Sequence, residues 1–166
     1  MTLSPILNRK RWKLYAHEHH IVVVRGSNER LVHPLMKADI WALYLPDYPS
    51  ATIEVRIGDK YKPDVVAFPP DAGIFTVKQP SFWGEAGRTG KEKIESLVRR
   101  FPDTHFAMSK WSTSLRPYVN LVSEALEGAT RNAPFDIIGF PDESVQHVDD
   151  DGNITITFDD VEWTRL

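Results

Sequence analysis

The chain has 166 residues, 42% hydrophobic and 26% charged, a balance ordinary for a soluble globular protein with a sizeable core. It holds no cysteine, which excludes disulfides, thiolate metal sites and cysteine nucleophiles. The net charge of −3 is unevenly spread: residues 1–118 carry 18 Lys/Arg against 12 Asp/Glu, a balance of +6, and residues 119–166 carry 2 against 11, a balance of −9. A basic first part with an acidic tail suits an anionic ligand, and it also suits two merely solvated faces. Met1 to Arg11 has no apolar signal-peptide core, and no apolar run approaches the roughly 20 residues of a membrane span. A cytoplasmic protein with no membrane partner is expected.

Trp12 to Arg25 reads as an extended stretch ending in the β-branched run Ile21-Val22-Val23-Val24. Ser27-Asn28-Glu29 is a helix-start signal, because short polar side chains can cap free N–H groups. The helix is expected over residues 30–45, with Leu31, Leu35, Ala38, Ala42 and Leu45 as its apolar stripe and Pro34 in its first turn. Residues 51–57 alternate as a half-buried strand: Ile53, Val55 and Ile57 on one side, Glu54 and Arg56 on the other. Val65 to Phe68 is a continuous apolar strand, Pro69 to Gly73 a loop, and Phe75 to Lys78 a hairpin extension. Phe82 to Ala86 is the next strand.

A second helix is expected over residues 90–101, with Ile94, Leu97, Val98 and Phe101 on its apolar side. Thr104 to Met108 is a strand, residues 114–127 a helix around Pro117, and Phe135 to Phe140 and Ile154 to Phe158 are strands. Asp151-Gly152-Asn153 is a hairpin turn. The order predicts a single domain over residues 1–166, of the α/β (α+β) class, with a mixed sheet flanked by helices. The stretch from Glu29 to Met108 fits an α-β-β-β-α-β core.

Two acids stand out. Asp64 follows Pro63 and opens the run Val65-Val66-Ala67; Glu85 sits inside the strand Phe82-Trp83-Gly84-Glu85-Ala86. Carboxylates in apolar runs are costly unless paired or ligating. Two on adjacent strands can hold a divalent metal such as Mg²⁺ or Mn²⁺ against a phosphodiester, with a nearby cation for the phosphate. Arg88, Lys91 and Lys93 follow. Glu29 is a further candidate, as a ligand through water, although an acid near a helix N-terminus needs no metal to explain it. For Asp64 and Glu85 the plain alternatives are a polar strand edge and an ion pair of Glu85 with Arg88 or Lys78.

The chain resembles the YaeQ family, a branch of the PD-(D/E)XK nuclease-like superfamily. The likeness is carried, in order, by Asn28-Glu29-Arg30, by Lys62-Pro63-Asp64, by Trp83-Gly84-Glu85-Ala86-Gly87 with Lys91-Glu92-Lys93-Ile94, and by Asp151-Gly152-Asn153 with Glu162-Trp163. The resemblance implies a restriction-endonuclease-like core and an acidic site of Asp64 and Glu85. The superfamily pattern places a lysine two residues after the second acid, where this chain has Gly87. The resemblance thus suggests that the cation has moved to Lys91 or Lys93, or to Arg88, which would hold a phosphate but accept no proton. Helical spacing relative to Ile94 favours Lys91.

The expected function is a metal-dependent nucleic-acid phosphodiesterase of this kind. The alternatives are a non-catalytic protein of the same fold that binds nucleic acid or a protein partner, and an unrelated function on that fold. Weaker signals point elsewhere. His17 and His19, two apart on a strand, would face one way as zinc ligands require, but solvent-facing residues are the expectation. Single tryptophans are expected in the core, with Trp111 the one to test for base stacking. Asp149-Asp150-Asp151-Gly152 lacks the closing glutamate of a calcium loop.

Overall fold

The computed structural model describes residues 3–70 and 79–166. The chain begins with a hairpin of β1 (Arg11–Ala16) and β2 (His19–Val24). His17 and Glu18 turn it with φ of 48° and 67°, the paired left-handed geometry that fits a two-residue hairpin. His17 therefore lies in the turn and not on a strand. Its Nε2 meets Ala42 O at 3.1 Å and the His19 Nδ1 meets His17 O at 2.8 Å, so the strand-borne histidine pair does not form.

Helix α1 (Val32–Tyr44) follows. No side chain caps it; Leu31 is its N-cap, and the expected Ser27-Asn28-Glu29 cap is replaced by a turn in which Glu29 N–H donates to Gly26 O at 3.1 Å. The remaining elements are β3 (Thr52–Ile53), β4 (Val65–Ala67), β5 (Phe82–Ala86), α2 (Lys91–Arg100), β6 (His105–Trp111), α3 (Arg116–Leu126), β7 (Phe135–Phe140) and β8 (Glu162–Arg165). They build a six-stranded sheet in the order β3-β4-β5-β6-β7-β8. Its centre, β5-β6-β7, is parallel, and the pairs on either side are antiparallel. The mixed sheet flanked by helices is the architecture the sequence predicts.

Each sheet face has its own core. Alternation along β5 sends Phe82 and Ala86-side contacts toward α1 and the hairpin, while Trp83 packs with Ile94, Leu97 and Val98 of α2 and Val122 of α3. Gly84 lets α1 approach: a Cβ there would stand 2.8 Å from Ile40 Cγ2 and 3.2 Å from Val65 Cβ, closer than atoms tolerate. Two expected strands are much reduced. Pairing in residues 51–57 stops after Ile53, because Glu54 has φ 58° and breaks the alternation. Of residues 154–158 only Ile154 makes a bridge, to Val148, just after the bridge of Tyr15 to Asn153, and Phe158 already begins a 3-10 turn. The terminal strand comes later, at Glu162–Arg165. Gly152, at φ 88°, still turns the chain between Val148 and Ile154, as the hairpin reading of Asp151-Gly152-Asn153 requires.

The hairpin expected at 75–78, part of the 69–73 loop and Lys78 lie outside the described residues. Among the described residues no helix is long and apolar enough to cross a membrane.

Candidate functional site

β4 and β5 are antiparallel neighbours, with Val65 opposite Gly84. Asp64, one residue before β4, continues that register and stands across from Glu85. Its N–H donates to Gly84 O at 3.1 Å, and its Oδ2 accepts from Ala86 N–H at 2.8 Å. The carboxylate is thus pinned against the end of β5. Glu85 is only 5% exposed. Its Oε1 accepts from Trp83 Nε1–H at 2.9 Å and from Lys93 Nζ at 3.0 Å. Among the described residues both bonds fall on that one oxygen and none on Oε2. Burial raises the proton affinity of Glu85 and the charge of Asp64 raises it further, against the pull of Trp83 and Lys93. The two acids therefore sense one another across the strand pair.

Lys37, in the middle of α1, closes the site from the other side. Its ammonium bonds to Glu54 and lies 3.7 Å from both Glu29 Oε2 and Asp64 Oδ1. Burial alone would lower its proton affinity, but the Glu54 bond and the charges of Asp64, Glu54 and Glu29 outweigh that and raise it. Glu54 also takes Lys62 Nζ at 2.8 Å. The left-handed backbone at Glu54 is what turns this side chain in, toward Lys37 and Lys62. Burial works against the ionised form of Glu54, yet the two lysine bonds hold its carboxyl below the usual range.

Glu29, expected as a third metal ligand, is engaged otherwise. Its Oε1 accepts from Gly26 N–H at 3.0 Å and its Oε2 meets His33 Nδ1 at 2.6 Å. Burial opposes ionisation, but His33, Gly26 and Lys37 together keep the Glu29 carboxyl below its ordinary range. His33 Nε2 faces Ala86 O at 3.2 Å. Both ring nitrogens thus face acceptors, and both bonds form together only in the imidazolium state. Among the described residues no three of His, Asp and Glu are grouped to hold a metal by themselves.

The geometry reverses the expectation for the helix lysines. Lys93 reaches Glu85 and lies over the Tyr61 ring, 5.0 Å from its centroid. Lys91 points to α3, where it bonds Glu124 at 3.0 Å. Spacing from Ile94 alone favours Lys91, but α2 rests on two neighbours. Its Leu97 side lies over β5, and Lys93, four residues before Leu97, shares that side; the side of Lys91 faces α3. Arg88 does not pair with Glu85. Gly87 has φ 84°, a backbone state that a side chain makes costly, and a Cβ there would also meet His33 Cδ2 at 3.4 Å. A lysine at position 87 would be strained, and the cation beside Glu85 comes from the helix instead.

Trp111 is half-buried and donates from Nε1 to Asp142 Oδ1 at 3.1 Å. Asp149 is used internally, accepting from Asp151 N–H at 2.9 Å and from Asn153 N–H at 2.8 Å, as a turn residue does.

Sequence reasoning missed Lys37, Glu54, His33 and Lys62. Lys37 carried a usable signal: with Asp39 it is one of two charged residues inside the apolar stripe of α1. Glu54 carried none, because alternation assigned it to a solvent-facing strand side.

No family model matches the chain, and no curated protein matches it. Solved structures do. A YaeQ protein from Pseudomonas syringae superposes with a TM-score of 0.57 at 14% identity, over 86% of this chain and 78% of that one. A YaeQ protein from Xanthomonas axonopodis pv. citri superposes with a TM-score of 0.56 at 10% identity, over 82% and 75% of the two chains. At such identities the likeness is one of fold, and the fold of this chain is that of the YaeQ structures.

Proposed function

We propose that this chain is a metal-dependent phosphodiesterase acting on nucleic acid, built on a PD-(D/E)XK-type core of the YaeQ kind. One observation carries the reading: Asp64 and Glu85 converge from neighbouring strands while Lys93 stands beside the second acid. The donor set fits Mg²⁺ or Mn²⁺, which take one or two carboxylates and complete their shell with water and phosphate oxygens. A buried glutamate whose proton affinity is raised by a second carboxylate is stabilised by a shared cation. Asp64 and Glu85 would hold the ion, and Glu29 would contact it only through water. Bound there, it would supply charge neutralisation for the phosphate and a more acidic water. The chain's own groups do the positioning. Ala86 N–H fixes the Asp64 carboxylate, Trp83 fixes that of Glu85, and Lys93 offers its ammonium to a phosphate oxygen.

A second reading is favoured by the same lysines. Lys37 and Lys93 already neutralise the acids, and Gly87 leaves the strand without a cation. On that reading the chain is non-catalytic and binds nucleic acid or a protein partner.

Calorimetric titration of Mn²⁺ separates the two. Wild type is expected to bind, and Asp64→Asn to lose the binding with its urea midpoint retained. On a panel of single-stranded and duplex DNA and RNA, Lys93→Ala is expected to lower Mg²⁺-dependent cleavage by about a hundredfold. Lys91→Ala is expected to leave the rate within about twofold, because it pairs with an exposed glutamate on α3 and not with Glu85. Heat-silent Mn²⁺ titration of the wild type and no cleavage of any substrate would leave the binding reading in place.

A further inference from the structure

Among the described residues, two cations near this site have no acidic partner. Lys110 lies on β6, two residues past Met108, which pairs with Glu85. Side chains two apart share a strand face, so Lys110 lies on the Glu85 side of the sheet, about 7 Å further along. Its ammonium rests over the Tyr118 ring of α3, 4.2 Å from the centroid. Tyr118 in turn donates its hydroxyl to Thr89 O at 3.4 Å, which ties α3 to the link between β5 and α2. Arg88 lies in that link, next to Thr89.

Lys110 is half-buried, and burial first, then the positive charge of Arg88, lowers its affinity for a proton. The backbone brings them together: Gly87 N–H, next to Arg88, donates to the carbonyl of Ser109, next to Lys110, at 3.2 Å. Among the described residues neither forms an ion pair, although nine other basic side chains do. Paired cations held together without a counter-charge are poised for an anion. Arg offers a planar fork of donors and Lys a point charge, the pair that recognises phosphate oxygens.

We infer that Arg88 and Lys110 form a clamp for a backbone phosphate of a bound nucleic acid, beside the phosphate that Asp64, Glu85 and Lys93 would address. The inference rests on the proposed nucleic-acid substrate and deepens it. The clamp supplies affinity and register, and the carboxylate pair the chemistry. Because Lys110 is fixed on a central strand by Tyr118, its position is set before the ligand arrives. Arg88 is exposed and closes on the phosphate from the link.

The test is fluorescence anisotropy with labelled single-stranded and duplex DNA and RNA oligonucleotides in EDTA, where cleavage plays no part, over a range of salt. Lys110→Gln and Arg88→Gln are each expected to weaken binding by about three- to tenfold. Each should also reduce the slope of log affinity against log salt by about 1. Lys110→Met keeps an unbranched apolar stem against Tyr118 but removes the charge, and it is expected to bind as weakly as Lys110→Gln, whereas Lys110→Arg restores binding; a Lys110→Met that binds as wild type would overturn the clamp. Lys13→Gln, on the exposed side of the hairpin, is expected to behave as wild type. Equal losses from Lys13→Gln and Lys110→Gln would overturn the clamp, as would unchanged affinity and slope in Lys110→Gln, or a wild type that binds none of the oligonucleotides. Binding that depends on Lys110 in a protein that never cleaves with Mn²⁺ would remove the hydrolase reading and keep the clamp. Cleavage that depends on Asp64 with binding indifferent to Lys110 would do the reverse.

Discussion

Asp136→Ala is expected to destabilise the fold by about 3–5 kcal/mol, the cost of breaking a buried, fully hydrogen-bonded charge pair. Asp136 is wholly buried on β7 and accepts four hydrogen bonds from three residues on three elements. Tyr44 O–H of α1 reaches Oδ2 at 2.7 Å, and His105 Nε2 of β6 reaches it at 2.6 Å. Arg165 of β8 reaches Oδ1 through Nε at 2.9 Å and Oδ2 through Nη2 at 3.2 Å. Tyr48 O–H extends the network to His105 Nδ1 at 2.8 Å. Removing the carboxylate leaves the Tyr44 hydroxyl and the His105 N–H without their acceptor and reduces the hold on the edge strand β8 to its backbone ladder.

The same carboxylate makes stability depend on pH. Burial would raise its pKa, but the bonds from His105, Arg165 and Tyr44 outweigh burial and bring it down to about 2. A depressed native pKa means that the stabilisation is present above the unfolded value near 3.8 and is lost as pH falls toward 2. For a shift of this size the loss is about 2 kcal/mol. Urea unfolding of wild type and Asp136→Ala at pH 7 and pH 3 checks both parts. A variant within about 1 kcal/mol of wild type at pH 7 would show that the network contributes little.

Asp39→Asn is expected to act in the opposite direction and to stabilise the protein at neutral pH. Asp39 sits on α1 with both carboxylate oxygens buried and without a hydrogen-bond partner among the described residues. Burial alone pushes its pKa well above the ordinary value. A carboxyl raised in the native state gives its full stability below the unfolded pKa. It loses that stability as pH rises, because the unfolded chain ionises while the native one holds its proton. The loss is about 1.4 kcal/mol per pH unit until the native carboxyl itself ionises. Asparagine has nearly the same shape and no charge to lose. Wild type and variant should match near pH 4, and the variant should lead by about 2 kcal/mol or more at pH 7. An advantage that does not grow between pH 4 and pH 7 would mean that Asp39 has a buried partner.

Much of this arrangement is legible from residues alone, for physical reasons. The apolar run after Asp64 and the run around Glu85 each need a buried strand, and two such strands close in sequence pair. That suffices to bring the acids together. The stripes of α1 and α2 follow from spacing in the same way. What is not legible is set by tertiary contact. Glu54 reads as a solvent-facing strand residue, yet a left-handed turn aims it at Lys37 and Lys62. Spacing from Ile94 favours Lys91, yet Lys93 is the one that reaches Glu85. The choice between them depends on which side of the helix meets β5 and which meets α3, and that is decided by the packing of three elements. Residues 154–158 alternate as a strand, yet Ile154 and Ile156 spend their apolar faces on the hairpin core, and the sheet edge goes to the less apolar Glu162–Arg165. Asp136 sits in the run Phe135-Asp136-Ile137, the same kind of signal as Asp64, and nothing local tells a structural aspartate from one at a site.

Gly87 gives the site a modular construction. The acids are mounted on strands whose spacing is fixed by the ladder, and Lys93 is mounted on a helix joined to β5 by residues 87–90. The cation can therefore be re-aimed by edits to a four-residue joint, with the acids and the sheet register untouched. A lysine anchored on the strand would allow no such adjustment. What such a construction holds constant is the place of the ammonium in space, not its place in the sequence.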